Sequence, residues 1–180
     1  TYQGVSMSGN GTDAVVTPGG TVHRAVTIDG SAAALSGASP LIAATITVAG
    51  DGALTVTPGT TLRFAYSTQL DVLDGDWLTA QGTPAAGIAF TSAASPQQRG
   101  DWYYLRAFAG AHVRLSHVDV AYAGRGNYSA LIVYATDTAI ADSRTLAAQT
   151  WLDLDTLHEN THWTVPLPPQ TGNRPTAAAN

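Results

Sequence analysis

The sequence predicts an all-β fold and, within that class, a right-handed parallel β-helix. Short apolar segments of β-strand character recur between Leu54 and Gly124, and no convincing helix lies between them. Gly, Pro, Asp or Ser stands in almost every gap, as is typical of turns. Segments this short cannot bury their apolar side chains within one hairpin, whereas the successive turns of a coil can stack and bury them together.

The strand-like segments follow one another along most of the chain. Apolar and polar positions alternate first at residues 22–28, which is the pattern of a half-buried strand. The later segments are residues 54–56, 62–64, 70–72, 77–79, 88–90, 103–108, 113–122, 130–134, 138–142 and 151–157. Between two of them, Pro58 and Gly59 predict a tight corner, because proline fixes φ and glycine accepts a positive φ. The side chains expected to point inward around this corner are those of Leu54, Val56, Leu62 and Phe64.

An antiparallel β-sandwich is the alternative fold, since it would also contain many short strands. The Asp-Gly pairs at residues 29–30, 51–52 and 74–75 could form its hairpin turns. The β-helix is favoured because segments of this length suit coil turns with bent corners better than long meander strands.

The chain divides into three regions. Residues 1–45, rich in Gly, Ser and Ala, are interpreted as a β-rich start or cap, and residues 46–164 as the turns of the β-helix. Residues 165–180 contain four prolines, each of which lacks the N–H group that a central strand needs. This last region is therefore predicted to be an extended tail.

Composition excludes several classes of function. The formal net charge is −5 and the eight arginines are scattered, which argues against nucleic acid binding. Cysteine is absent, so disulfides and thiolate metal sites are excluded. No apolar run approaches the roughly 18 residues of a membrane-spanning helix. Only 12% of residues are charged, and a surface of Thr, Ser and Gly without cysteine is typical of bacterial extracellular proteins.

Three motifs carry a resemblance to the right-handed parallel β-helix repeats of large bacterial secreted and cell-surface proteins. Residues 54–64 read Leu-Thr-Val-Thr-Pro-Gly-Thr-Thr-Leu-Arg-Phe and resemble a repeat turn of that family. Residues 82–92 are similar to its Gly-Thr-x-x-x-Pro-Ile-x-Phe-Thr-Ser segment, with Gly87 in place of proline. Residues 100–105 are similar to its Gly-Asp-Trp-x-Gly-Leu motif, with Tyr104 in place of glycine, and the segment 115–124 follows as the family's repeat would. In this arrangement Trp102 is expected to close a loop over the coil.

Acidic residues near the repeats are the candidates for catalysis or metal binding. Asp71, Asp74 and Asp76 form the densest acidic cluster, and they are candidate ligands for Ca²⁺, the one cofactor considered. If the chain is an enzyme, Asp74, Asp76 and Asp101 are its candidate acid and base groups for cleaving a polysaccharide. The structural alternative is that these aspartates cap their own turns, as Asp does in Asp-Gly pairs.

Aromatic residues are the candidates for ligand binding. A strip of them could stack against sugars, although aromatic side chains packed between turns of a coil look the same in sequence. The candidates are Trp77, Tyr103, Tyr104 and Tyr122.

Two further candidate groups contain histidine. His117 and Asp119 lie two residues apart on one predicted strand and so should face the same side, as a general base or half of a metal site would. His158, Glu159 and His162 have a spacing that superficially suggests a metal site, but the His-Glu-x-x-His order is absent.

These observations favour a non-enzymatic structural or adhesive module, extracellular or on a bacterial cell surface. Because no capping helix is visible at either end, the chain is expected to form a homo-oligomer, or to belong to a longer coil or filament, through the ends of the β-helix and the tail. A polysaccharide-binding or polysaccharide-cleaving β-helix is the alternative, with a glycan as its partner.

Overall fold

The computed structural model describes residues 16–30, 39–146 and 150–154, and it shows a parallel β-helix. Among these residues seventeen short strands form three sheets, and successive strands along the chain enter the three sheets in turn. The first sheet contains β1 (Val16–Thr17), β4 (Leu41–Ile42), β7 (Thr61–Phe64), β10 (Ile88–Ser92), β13 (Val118–Ala121) and β16 (Arg144–Leu146). The second contains β2 (Gly20–Val22), β5 (Ile46–Val48), β8 (Leu70–Val72), β11 (Leu105–Ala107), β14 (Ser129–Val133) and β17 (Thr150–Leu154). The third contains β3 (Ala25–Ile28), β6 (Ala53–Val56), β9 (Trp77–Gln81), β12 (His112–Ser116) and β15 (Asp137–Ala141).

The predicted fold class is confirmed and the antiparallel sandwich is wrong. Every strand pairing among the described residues is parallel, apart from one isolated bridge between Thr83 and Ala86. The Asp-Gly pairs at 51–52 and 74–75 stand between parallel strands at corners of the coil and do not close hairpins. Parallel neighbours need a crossover, and here the rest of each turn supplies it.

The core consists of columns of apolar side chains that stack from turn to turn. In the third sheet Leu54, Leu78 and Val113 occupy equivalent register positions and are buried. The first sheet buries a matching column of Leu62, Phe90 and Val120. Side chains between these positions point outward in β6, β7 and β12, so these strands alternate between core and surface.

Some corners of the coil lie at turn residues, as the sequence predicts, and others lie at residues that are not typical of turns. Gly59 has φ 78°, as expected for the Pro58-Gly59 corner. The predicted strand over residues 113–122 is instead two strands, β12 and β13, because His117 has φ 50° and bends the chain between them. A period-two pattern alone does not reveal such a corner.

The three kinds of connection differ in length. Those between the second and third sheets are short, such as residues 73–76 and 108–111. Those between the first and second sheets range from residues 18–19 and 43–45 to residues 93–104, and residues 122–128 contain a 3₁₀ helix at Arg125–Asn127. The corner between these two sheets therefore accommodates connections of very different lengths.

The sequence suggested that Trp102 closes a loop over the coil, and this expectation is wrong, because Trp102 lies inside the coil. Its ring stacks on Phe64, with centroids 4.2 Å apart and planes 10° from parallel. Its indole N–H donates to the carbonyl oxygen of Ala121 at 2.8 Å, so the polar edge is satisfied where the ring is fully buried. The indole thus fills the core beneath the connection that carries it, residues 93–104.

Candidate functional site

Asp76 is fully buried at the corner between β8 and β9. Its Oδ1 accepts a hydrogen bond from the backbone N–H of Gly52 at 2.7 Å. Its backbone carbonyl accepts from the N–H of His112 at 2.8 Å, and Oδ2 has no hydrogen-bond partner. Asp76 therefore joins three successive turns of the coil.

Asp101 holds the long connection before β11. Its Oδ2 accepts the Ser92 hydroxyl at 2.5 Å and the backbone N–H of Gln98 at 2.9 Å. Its carbonyl oxygen also accepts the N–H of Ser67 at 3.0 Å. The carboxylate therefore closes its own loop, and the backbone carbonyl of Asp101 anchors that loop to the neighbouring turn.

Asp71 and Asp74 lie in different surroundings. Asp71 is on the outer side of the second sheet, where its Oδ1 accepts from Arg106 at 2.9 Å and its Oδ2 accepts from Gln69 at 2.6 Å. Asp74 is in the corner whose next residue, Gly75, donates its N–H to the carbonyl of Gly110 at 3.1 Å. Across residues 16–30, 39–146 and 150–154, no three His, Cys, Asp or Glu residues are grouped closely enough to hold a metal ion.

An aromatic–arginine strip lies where the first sheet passes to the second. We define it by six residues: Tyr66, Tyr103, Tyr104, Arg125 and Tyr128 from three successive connections, and Arg106 from β11. Two of its members were sequence candidates, Tyr103 and Tyr104.

Arg125 links the ends of this strip. Its guanidinium carbon lies 3.8 Å from the ring centroid of Tyr66, two turns earlier, and 6.0 Å from that of Tyr103. One of its N–H groups donates to the carbonyl of Gly100 at 3.3 Å. Contacts of this kind combine cation–π attraction with stacking of the planar guanidinium.

Three of the four tyrosines of the strip, Tyr103, Tyr104 and Tyr128, pack edge to face or tilted. The Tyr104 and Tyr128 centroids are 5.1 Å apart, and Tyr103 lies 5.8 Å from Tyr104 and 6.2 Å from Tyr128. Arg106 lies over Tyr104 at 4.7 Å and over Phe108 at 4.4 Å. Burial raises the pKa of the Tyr104 phenol above its ordinary value, against the opposing charge of Arg106, so this phenol stays protonated at neutral pH.

The other two aromatic candidates lie apart from the strip. Tyr122 is at a corner with φ 60°, and within the described part of the chain its ring makes no contact with another aromatic ring. Trp77 is on the third sheet, where its ring stacks on His112 with centroids 4.1 Å apart. The structure therefore brings together Tyr103 and Tyr104 but not Trp77 or Tyr122.

Trp77 belongs to a charged surface cluster. The Nδ1 atom of His112 lies 2.6 Å from the Asp137 carboxylate, and the same carboxylate accepts from Arg114 at 2.6 Å. The hydrogen bonds from His112 and then Arg114 lower the pKa of Asp137 below its ordinary value. The charges in this cluster are therefore already paired on the surface of the protein.

His117 and Asp119 line a cavity of about 400 Å³ together with Thr83, Pro84, Asp142 and Arg144. The two side chains share this cavity although a corner, and not one continuous strand, separates them. Arg144 holds the Asp119 carboxylate with two hydrogen bonds of 2.8 and 2.7 Å. His117 Nε2 is 3.9 Å from the Asp142 carboxylate.

The sequence did not reveal Arg106, Arg125 or Tyr66 as members of a shared surface. A signal was present, because Tyr66, Tyr103 and Arg125 stand in equivalent connections between strand-like segments. Aligning those connections by the register of the flanking strands would have placed them in one row. His158, Glu159 and His162 lie outside the described residues.

Comparisons with protein family models, with curated proteins and with solved structures found no match to this chain. The assignment of the fold therefore rests on its strand topology. Within the described residues, no helix is long and apolar enough to cross a membrane.

Proposed function

We propose that the chain is a non-enzymatic structural or adhesive module, extracellular or on a bacterial cell surface. The observation that carries this proposal is that the candidate catalytic aspartates hydrogen-bond to other parts of the protein itself. Asp76 binds the backbone of another turn, and Asp101 closes and anchors its own loop. A catalytic pair in a polysaccharide-cleaving enzyme would instead face a shared groove and leave both carboxylates free for substrate.

The outer surface supports the same proposal because ion pairs connect consecutive turns. Asp71 pairs with Arg106 directly opposite it in the second sheet, and Asp119 pairs with Arg144 in the first. The Asp119–Arg144 pair is largely exposed and contributes little to stability, whereas Asp71 is buried in its pair with Arg106. These ion pairs hold the long side chains in fixed positions on the outer surface, where other molecules can contact them.

The test of this proposal uses Asp76. Replacing Asp76 with alanine leaves the buried N–H of Gly52 without an acceptor, so the free energy of unfolding should fall by about 1–3 kcal/mol. Asp76→Asn keeps an oxygen at that position and should cost distinctly less. Urea unfolding followed by circular dichroism measures both variants.

The same proteins should be incubated with a panel of plant and bacterial polysaccharides, with new chain ends as the readout. We expect no release by the wild-type protein. Cleavage by the wild type that is abolished in Asp76→Asn, with its fold intact, would establish the polysaccharide-cleaving alternative instead.

We also propose that the ends of the β-helix, and the C-terminal tail, join copies of the chain or further turns of a longer coil. Val26 supports this: it is in register with the buried Leu54 at an inward position, yet 41% of it is exposed. Sedimentation at increasing protein concentration should show self-association that Val26→Arg weakens. A monomer at every concentration tested would argue against assembly through this end.

A further inference from the structure

We propose that the aromatic–arginine strip binds an acidic polysaccharide, one whose sugars carry carboxylate groups. This inference rests on the proposed role as an adhesive module and names what the module would adhere to. It is carried by three properties of the strip: exposed tyrosine rings, a guanidinium without a carboxylate partner, and alignment along the coil.

The exposed rings offer apolar faces at both ends of the strip. Tyr66 is 67% exposed and Tyr128 is 48% exposed, which is unusual for side chains of this size in a chain that buries most of its large hydrophobic residues. The C–H groups on one face of a sugar ring are apolar and weakly positive, so they pack well on the electron-rich face of a tyrosine. Each phenol also supplies a hydroxyl group for the hydroxyls of the sugar.

Arg125 supplies the charge. Within the described chain its guanidinium donates one hydrogen bond, to the carbonyl of Gly100, and no described carboxylate forms an ion pair with it. Tyr66 stacks against the guanidinium and orients it. The remaining N–H groups form the planar fork that matches the two oxygens of a carboxylate.

Arg106 has a different role. Asp71 already neutralises it, and it packs over Tyr104 and Phe108. It therefore holds Tyr104 against Tyr128 and leaves the recognition of an anion to Arg125.

The alignment of the strip favours a polymer over a small molecule. Its tyrosines and Arg125 come from the connections after β7, β10 and β13, which belong to three consecutive turns, and Arg106 lies in β11 of the middle turn. Neighbouring turns are about 4.8 Å apart in the direction of the strand hydrogen bonds, so the strip runs along the axis of the coil. An extended chain of sugars can contact Tyr66, Arg125 and Tyr128 in succession.

Two other surfaces offer less to such a ligand. In the cavity beside His117, the carboxylate of Asp119 already engages Arg144 through two hydrogen bonds. In the Trp77 cluster, Asp137 already accepts from Arg114. Among the described residues, the strip alone combines exposed rings with an arginine that lacks a carboxylate partner.

The experiment is calorimetric titration of the full chain with polygalacturonate and alginate oligosaccharides, with neutral dextran and sulfated dextran as the comparison ligands. We expect binding to the uronate oligosaccharides that weakens as salt is added, and no binding to neutral dextran. Arg125→Gln should weaken binding at least about tenfold, the loss expected for a charge-assisted hydrogen bond. Tyr66→Ala and Tyr128→Ala should also weaken it.

Arg24→Gln is the matched control, because Arg24 is exposed between β2 and β3 and the substitution changes the net charge by the same amount. It should bind as the wild type does, and all four variants should retain the wild-type circular dichroism spectrum. Equal affinity of Arg125→Gln and Arg24→Gln, or binding of sulfated dextran without binding of either uronate, would overturn the inference.

The proposed function and this inference can fail separately. Cleavage of a uronate polymer by the wild type would overturn the non-enzymatic role even if the strip binds. If the protein bound neither of the two uronates, the inference would be overturned and the structural role would stand.

Discussion

Replacing Trp102 with alanine should lower the free energy of unfolding by about 3–5 kcal/mol, the loss typical of a large aromatic removed from a core. Trp102 is among the largest fully buried side chains of the described chain and stacks on Phe64 at 4.2 Å. The substitution would leave a cavity and would also leave the carbonyl oxygen of Ala121 without its hydrogen bond. Urea unfolding at equilibrium, followed by circular dichroism, is the measurement.

Two further variants separate the contributions of the indole. Trp102→Phe keeps a ring against Phe64 but cannot donate to Ala121, so it should cost less than the alanine variant. Trp77→Ala removes an indole that is 40% exposed and should change stability far less. If Trp102→Ala and Trp77→Ala were equally stable, the placement of Trp102 in the core would be wrong.

Replacing Gly52 with alanine should lower the free energy of unfolding by about 1–3 kcal/mol, in the range of overpacked cores. A Cβ atom at this position would lie 2.1 Å from the carbonyl oxygen of Val22 and 3.0 Å from a methyl carbon of Val48. The carbonyl of Val22 cannot move freely, because it accepts the N–H of Ala49 at 3.0 Å. The two turns would therefore have to separate locally, and thermal or urea unfolding would detect the loss.

Gly75→Ala is the matched control for this prediction. Gly75 is also the glycine of an Asp-Gly pair at a corner, but a Cβ there would meet no atom within 4 Å. Its φ of 78° makes alanine strained by about 1 kcal/mol, without any collision. A larger loss in Gly75→Ala than in Gly52→Ala would contradict the close approach of the turns at Gly52.

Much of the fold could be predicted from the sequence, because each turn repeats the same local pattern of short apolar segments and turn residues. Leu54, Val56, Leu62 and Phe64 were expected to point inward and are buried. What could not be predicted depends on contacts between residues far apart in the chain. His117 adopts a positive φ without being glycine, and Trp102 turns into the core because Phe64 and Ala121 receive it there.

The candidate sites were harder to predict than the fold. An aspartate in an Asp-Gly turn has the same sequence pattern whether it accepts a backbone N–H, as Asp76 does, or faces a substrate. The contact between Arg125 and Tyr66 crosses two turns, so no short motif contains both residues. Only the register of the sheets brings them together.

The connections of the coil differ in whether their length can change: one kind fixes the register of the sheets, and another tolerates insertions. The short corners between the second and third sheets keep consecutive turns in register, so a change in their length would shift every column of the core that follows. The corner between the first and second sheets accommodates segments as different as residues 65–69 and 93–104 with the same strand pairing on either side. New peptide segments could therefore be grafted at this corner, and a change of specificity would need no redesign of the scaffold beneath it.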